Sequence, residues 1–266
     1  VSRSGSAERL SVCAALALNE KKYITVAGIE AVMQFCAEYE SFKNSVLKFT
    51  IGKEFDIDNL LENLAQMGYV REDMVEGVGQ FSLRGGILDV FSPNYPEPVR
   101  VEFFDNETDS IRFFDIEKQT TIEKINEASI CACREIIYSK DDKERILSDL
   151  RNELIKLKRK KSDVSAAIEN LNADIEKFKE KYYFASIDKY VHLIYSKIPS
   201  VIDYFNKNSL IFIDDEKRCE ENAKDFEQNF GEGVTDLLER GVLYPSNKVF
   251  LIERRALFSY LGASLL

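Results

Sequence analysis

The sequence predicts an α/β fold with a smaller α+β domain inserted into it and a long helical insertion. Three observations carry that expectation. Residues 80–115 hold a dense series of alternating strand segments broken by turn residues. Residues 23–36 run from a short β-rich stretch through Gly28 into a helix, half of a βαβ unit. Residues 141–181 space their apolar side chains by threes and fours, the period of a long helix.

The segment 80–115 is where function concentrates. Phe81-Ser82-Leu83-Arg84, Gly85-Gly86 and Ile87-Leu88-Asp89-Val90-Phe91 read as two strands around a two-residue glycine turn, or as one strand with a glycine bulge. Residues 99–104 and 110–114 are two further strands, joined by the turn Asp105-Asn106-Glu107. Side chains alternate across a strand. Val99, Val101 and Phe103 therefore share the core face, and Arg100, Glu102 and Phe104 the other. The same rule sends Leu83 inward and Arg84 outward. Alternation leaves Phe104 two readings: a protein-binding anchor beside arginines, or an aromatic buried beneath another element.

Before this sheet, residues 6–19 read as a helix with Ser6 as a possible cap, and residues 46–51 as a strand. A helix follows from Asp56 and ends at Gly68. Residues 120–130 read as one exit strand. The insertion 141–181 is either one straight helix of roughly 60 Å or an antiparallel pair broken near Ser162; the polar cluster 158–163 favours the break. Residues 200–205 form a short helix, and residues 209–216 a buried parallel strand ending in Asp214-Asp215-Glu216. Residues 217–240 are helical with an interruption near Gly231 and Gly233; a strand at 248–251 and a helix at 253–261 complete the set.

Composition narrows the chemistry. The 266 residues, 45% hydrophobic and 31% charged, suit a soluble globular protein. A net charge of −10 opposes broad binding to a phosphate backbone. No apolar run approaches the ~20 residues of a membrane span, and no signal peptide is evident. The sequence opens on Val1 inside a helical pattern, so it reads as a piece of a longer chain. Its five cysteines are scattered, and Cys131 with Cys133 makes a poor zinc pattern, so reduced buried thiols are expected. His192, the single histidine, lies in an apolar run and reads as structural. No G-x-x-x-x-G-K-[ST] run occurs, so no P-loop ATPase is expected here.

Phe81 to Phe91, then Pro98-Val99-Arg100-Val101-Glu102-Phe103-Phe104-Asp105 and Asp109-Ser110-Ile111-Arg112, resemble the N-terminal UvrB-homology region of the bacterial transcription-repair coupling factors (Mfd). The likeness covers nearly the whole chain and is most specific over 68–120. It implies a degenerate helicase-like parallel sheet made of residues 1–45, truncated at the start, and 131–266, with the helical insert at 141–181. It implies that the inserted α+β domain, 46–130, docks onto UvrA, as UvrB does. By motif position the UvrA-contacting residues fall on Arg84, Arg100 and Phe104. The acids 214–216 resemble the remnant of a magnesium-binding motif. The same resemblance implies a non-catalytic, cytoplasmic module without cofactor. ATP, magnesium, RNA polymerase and DNA would be handled by other parts of the parent protein. The competing readings are a nucleotide-binding module, a DNA-binding module using Arg71, Arg84, Arg100 and Arg112, and a coiled-coil oligomer through 141–181.

Overall fold

Contacts along the chain sort it into two units, one of Val1–Tyr23 with Ala37–Ile137, the other of Ile24–Cys36 with Tyr138–Leu266. The computed structural model describes residues 3–18, 22–160, 164–184, 186–206, 208–244 and 251–263.

The first unit holds a six-stranded sheet: β2 (Val70–Arg71), β3 (Gln80–Arg84), β4 (Ile87–Val90), β5 (Val99–Phe104), β6 (Glu107–Phe114) and β7 (Thr121–Ile125), in that spatial order. Each neighbouring pair is antiparallel except β2 with β3. Gly85 and Gly86 form the tight turn between β3 and β4, so the two-strand reading is the one observed. The left-handed φ of 59° at Gly85 is the reason a glycine stands there. Gly86 is needed for a different reason. Its carbonyl accepts from Phe103 N at 2.7 Å, and a Cβ on it would stand 2.7 Å from the Phe103 carbonyl oxygen.

Leu88, Val90, Val99, Val101 and Ile111 are buried, the apolar face that alternation requires. Phe103 continues this face and meets Phe49 and Phe55, at ring distances of 6.4 and 6.1 Å. Phe49 belongs to β1 (Leu47–Thr50), which pairs antiparallel with β8 (Glu127–Ile130) in a separate two-stranded ribbon. The expected single exit strand over 120–130 is thus two strands with different partners: β7 closes the large sheet, and after Asn126 the chain returns as β8 to β1. Buried and part-buried hydrogen bonds tie this return to the sheet. Tyr69 Oη donates to Cys131 O at 2.5 Å, Cys131 N donates to Ser92 Oγ at 3.1 Å, and Ser129 N donates to Tyr95 Oη at 2.9 Å.

Helix α4 (Ile57–Gln66) opens as expected, with Asp56 accepting from Asn59 N at 3.2 Å, and buries Leu60 and Leu64. Gly68, at φ 100°, follows its end. The unit also contains α1 (Arg3–Leu18) and α3 (Tyr39–Asn44), which pack together. Ser6 lies inside α1 rather than capping it.

The second unit contains α2 (Ile29–Met33), α5 (Lys140–Lys158), α6 (Ser165–Glu180), α7 (Val191–Ile194), α8 (Glu216–Glu239) and α9 (Arg254–Ala263). The insertion is a pair of helices: α5 and α6 pack against one another, and the Ser162 break lies outside the described residues. Ser139 and Asp142 form a reciprocal capping box that starts α5. Asp174 of α6 is buried, with Lys189, Lys177 Nζ (2.9 Å) and Tyr190 Oη (2.8 Å) as partners.

Three expectations need correction here: the strands at 23–27 and at 209–216, and the break near Gly231 and Gly233. Residues 23–27 and 209–216 form no strand, so the parallel sheet is not present among the described residues. A strand requires a neighbour to take its N–H and C=O groups, and neither run is paired with a strand among the described residues. The described part of the closing strand is Leu251, which makes an isolated bridge to Gln34; residues 248–250 lie outside the described residues. Third, α8 runs unbroken through Gly231 and Gly233. Each glycine costs roughly 1 kcal/mol of helix propensity, less than abandoning a cooperative ladder in mid-helix.

Gly86→Ala is expected to lower stability by about 1–3 kcal/mol, because the new methyl meets backbone. Gly85→Ala, which meets open space, should cost only its left-handed strain of about 1 kcal/mol. Urea denaturation midpoints of the two variants check this order.

Candidate protein-interaction face

The outer face of the large sheet is assembled in rows set by strand register. Ser82, Asp89, Arg100, Arg112 and Lys124 lie opposite one another across β3, β4, β5, β6 and β7. The next row holds Arg84, Ile87, Glu102 and Ser110. Phe104, paired with Glu107, ends β5 at the edge where the Gly85-Gly86 turn also lies.

Asp89 is the centre of this face. Its side chain is almost fully buried, and it receives Arg100 through two bonds, Nε to Oδ1 at 2.6 Å and Nη2 to Oδ2 at 2.8 Å. Arg84 Nη2 donates to the same Oδ2 at 3.2 Å. Arg100 Nη2 also donates to Gln119 Oε1 at 2.8 Å, and its guanidinium lies 4.2 Å from the centre of the Phe114 ring. Bidentate pairing and stacking together fix the orientation of a planar guanidinium.

A second ion pair lies beside the first. Arg112 Nη2 donates to Glu102 Oε1 at 2.5 Å, and Ser110 Oγ donates to Oε2 at 2.7 Å. The hydrogen bond from Arg112 holds the Glu102 carboxyl down at about 2, with the Ser110 bond adding to it. Burial pushes the Cys133 thiol up to about 12, which leaves it protonated and unreactive at neutral pH.

The three residues singled out from the sequence have different environments. Phe104 is 77% exposed, so it is not covered by another element of the chain. The Arg84 side chain is 49% exposed and keeps donors free of Asp89 on its solvent side. Arg100 lies on the same face, but its side chain is only 12% exposed and its donors are directed at Asp89 and Gln119. Asp89 and Gln119 were not among the expected site residues. A lone acid in the otherwise apolar Ile87-Leu88-Asp89-Val90 strand was the available signal for Asp89. Gln119 reaches the face from the turn after β6, with φ 55°, and no strand pattern announces it.

This geometry is a polar, hydrogen-bonded sheet face with an exposed aromatic at its rim. It suits recognition of another macromolecule, and among the described residues no cluster of three or more His, Cys, Asp or Glu side chains could hold a metal ion. The acids after 213 are used locally: Asp215 caps α8 by accepting from Arg218 N at 3.2 Å. Nor is any helix among the described residues long and apolar enough to cross a membrane.

Comparison with known proteins agrees with the sheet-centred reading. Residues 47–135, which span β1 to β8, match the UvrB interaction domain. The chain is 31% identical over 264 residues to the transcription-repair-coupling factor of Bacillus subtilis, covering 96% of this chain and 22% of that protein. It is 33% identical over 238 residues to the transcription-repair-coupling factor of Staphylococcus haemolyticus, covering 88% and 20%. The chain is homologous to the coupling-factor family over most of its length, and the resemblance carried by Phe81 to Phe91 and Pro98 to Asp105 holds. It spans about a fifth of the length of these curated relatives.

Asp89→Ala should lower stability by about 3 kcal/mol, since it strands the nearly buried Arg100 charge. Thermal unfolding of the variant would show a smaller loss if solvent reaches Arg100 freely. A pH test addresses Glu102, whose folded pKa lies below its ordinary 4.5. The stabilisation from its ion pair is complete above that value and fades as pH falls towards about 2. Carboxyl NMR titration should show the low midpoint, and Arg112→Ala should move it back up.

Proposed function

We propose that this chain is a docking module of a transcription-repair coupling factor and that its inserted domain, 46–130, binds UvrA. The observation that carries the reading is Phe104: a large aromatic, 77% exposed, at the rim of an ordered arginine-bearing face within the UvrB interaction domain match. An exposed aromatic next to a guanidinium is the usual composition of a binding hot spot.

The two kinds of contact have separate roles in this reading. Phe104 fills an apolar pocket on UvrA. Arg84 donates from its solvent side to carboxylates or carbonyl oxygens of the partner. Arg100 presents the remaining edge of its guanidinium and keeps the face ordered through Asp89, Gln119 and Phe114. Preorganisation of this sort spares the ordering cost that flexible arginines pay on binding. Within the longer protein, the module brings UvrA to RNA polymerase stalled on damaged DNA in the bacterial cytoplasm. ATP- and magnesium-dependent translocation belongs to other segments. The rival DNA-binding reading needs Arg71, Arg84, Arg100 and Arg112 free to neutralise phosphates. Asp89 and Glu102 already engage Arg84, Arg100 and Arg112 and offset two of their three charges, which favours a protein partner.

Calorimetry with UvrA tests the proposal. Arg84→Ala and Phe104→Ala should each weaken binding by at least about tenfold, near 1.4 kcal/mol, while leaving the unfolding temperature unchanged. Arg100→Ala should weaken binding and lower the unfolding temperature together. If the wild type fails to bind UvrA, or if Phe104→Ala and Arg84→Ala bind as the wild type does, this docking assignment is wrong.

A further inference from the structure

The arginine-bearing face carries a second bare apolar side chain, at the opposite end from Phe104. β7 ends the strand order of the large sheet among the described residues. Register sets its Lys124 opposite Arg112, on the outer face, and its Ile125 opposite the buried Ile111, on the core face. Between Phe113 and Phe114 the register shifts: Phe113 stands opposite Glu123, and Phe114 opposite Thr121. Ile122 is thus the extra residue of a β-bulge, in which two residues of one strand oppose a single residue of the other. Thr121 and Ile122 share the side of Phe114, the outer-face ring on which the Arg100 guanidinium lies. Ile122 is 52% exposed.

A single exposed aliphatic side chain is ordinary on a protein surface. Two features set Ile122 apart. Edge strands are normally blunted with charge, because a bare apolar edge invites unwanted pairing; β7 leaves its isoleucine bare beside Glu123 and Lys124. The second feature is placement. Phe104 pairs with Glu107 at one end of β6, Ile122 lies against Phe114 in register at the other end, and Arg100 and Arg112 stand between. At about 3.4 Å per residue along a strand and 4.8 Å between strands, Phe104 and Ile122 are roughly 20–25 Å apart. A standard interface covers about 800 Å² of each partner, a disc roughly 30 Å across. Centred on Phe104, such a disc would extend well past the end of the strands. Centred on the arginines, it takes in both apolar ends.

We propose that Ile122 is a second apolar anchor of the UvrA contact, seated in an apolar depression of the same UvrA surface that receives Phe104. The inference rests on the UvrA docking reading and deepens it by fixing where the contact ends. Continuity selects the occupant: Ile122 lies on the face that holds Arg84, Arg100 and Phe104, within the 47–135 match to the UvrB interaction domain. Val70, 57% exposed on β2 at the opposite edge of the sheet, provides a control. It lies roughly 20 Å from the centre of a disc that spans Phe104 and Ile122, outside its rim.

Calorimetry of the 266-residue chain with UvrA tests the proposal, with Ile122→Ser, Ile122→Val, Val70→Ser and Phe104→Ala beside the wild type. Ile122→Ser should weaken binding by about tenfold at an unchanged unfolding temperature. Ile122→Val, which keeps most of the apolar contact, should stay within about twofold of the wild type, and Val70→Ser should match it. If Ile122→Ser binds as the wild type does while Phe104→Ala fails, the second anchor is overturned and the docking reading stands. Equal losses in Ile122→Ser and Val70→Ser would also overturn it, because the effect would not belong to one end of the face. A wild type that does not bind UvrA would remove both readings together.

Discussion

The buried carboxylate of Asp89 is the group on which the outer face of the sheet depends. A charge placed at the centre of a sheet is costly unless its partners are held in good geometry. β5 supplies Arg100 directly opposite, and the turn after β6 supplies Gln119 to take a further guanidinium proton. Phe114 gives the guanidinium a surface to lie on and is itself buried there. One anion thus orients Arg100, restrains Arg84 and closes the face over an aromatic ring. The arrangement yields a rigid polar plane at whose edge Phe104 stands free.

The core beneath that plane is ordinary by comparison, and this is why the plane can be rigid. Val99, Val101, Leu88 and Ile111 are buried under the sheet, and Phe103 adds the Phe49 and Phe55 rings of the β1 region. A shift of one residue in β5 would exchange Arg100 for Val101 on the outer face. Register is therefore specified from both sides at once, by apolar burial below and by the Asp89 and Glu102 ion pairs above. The Gly85-Gly86 turn, close to Phe103 of β5, pins the same register at one end of the strands.

Strand parity made much of this face legible in the sequence. It put Arg84, Arg100 and Phe104 on one side and Val99, Val101 and Phe103 on the other, and both sets lie so in the structure. Parity says nothing of how far an outward side chain remains in water. Arg100 and Phe104 are two positions of the same set, yet one is locked against a carboxylate and the other is bare. Asp89 and Gln119 were harder to see because their role arises from pairing between segments 11 and 19 residues from Arg100. The second unit shows the opposite limit: residues 209–214 carry a genuine strand pattern, but a pattern cannot supply the neighbour that a strand needs.

Local pattern, by itself, determined the β3 to β6 segments, the Asp56-capped helix and the helical character of residues 141–181, because each rests on side-chain period or turn chemistry within a few residues, and it narrowed the glycine pair to a turn or a bulge. Motif resemblance added the coupling-factor family. Tertiary structure decided the rest: that residues 120–130 divide between two sheets, that Gly231 and Gly233 stay helical, and that Asp89 anchors the arginines. Each of these depends on which distant group stands opposite, and on whether a backbone or a charge finds its partner there.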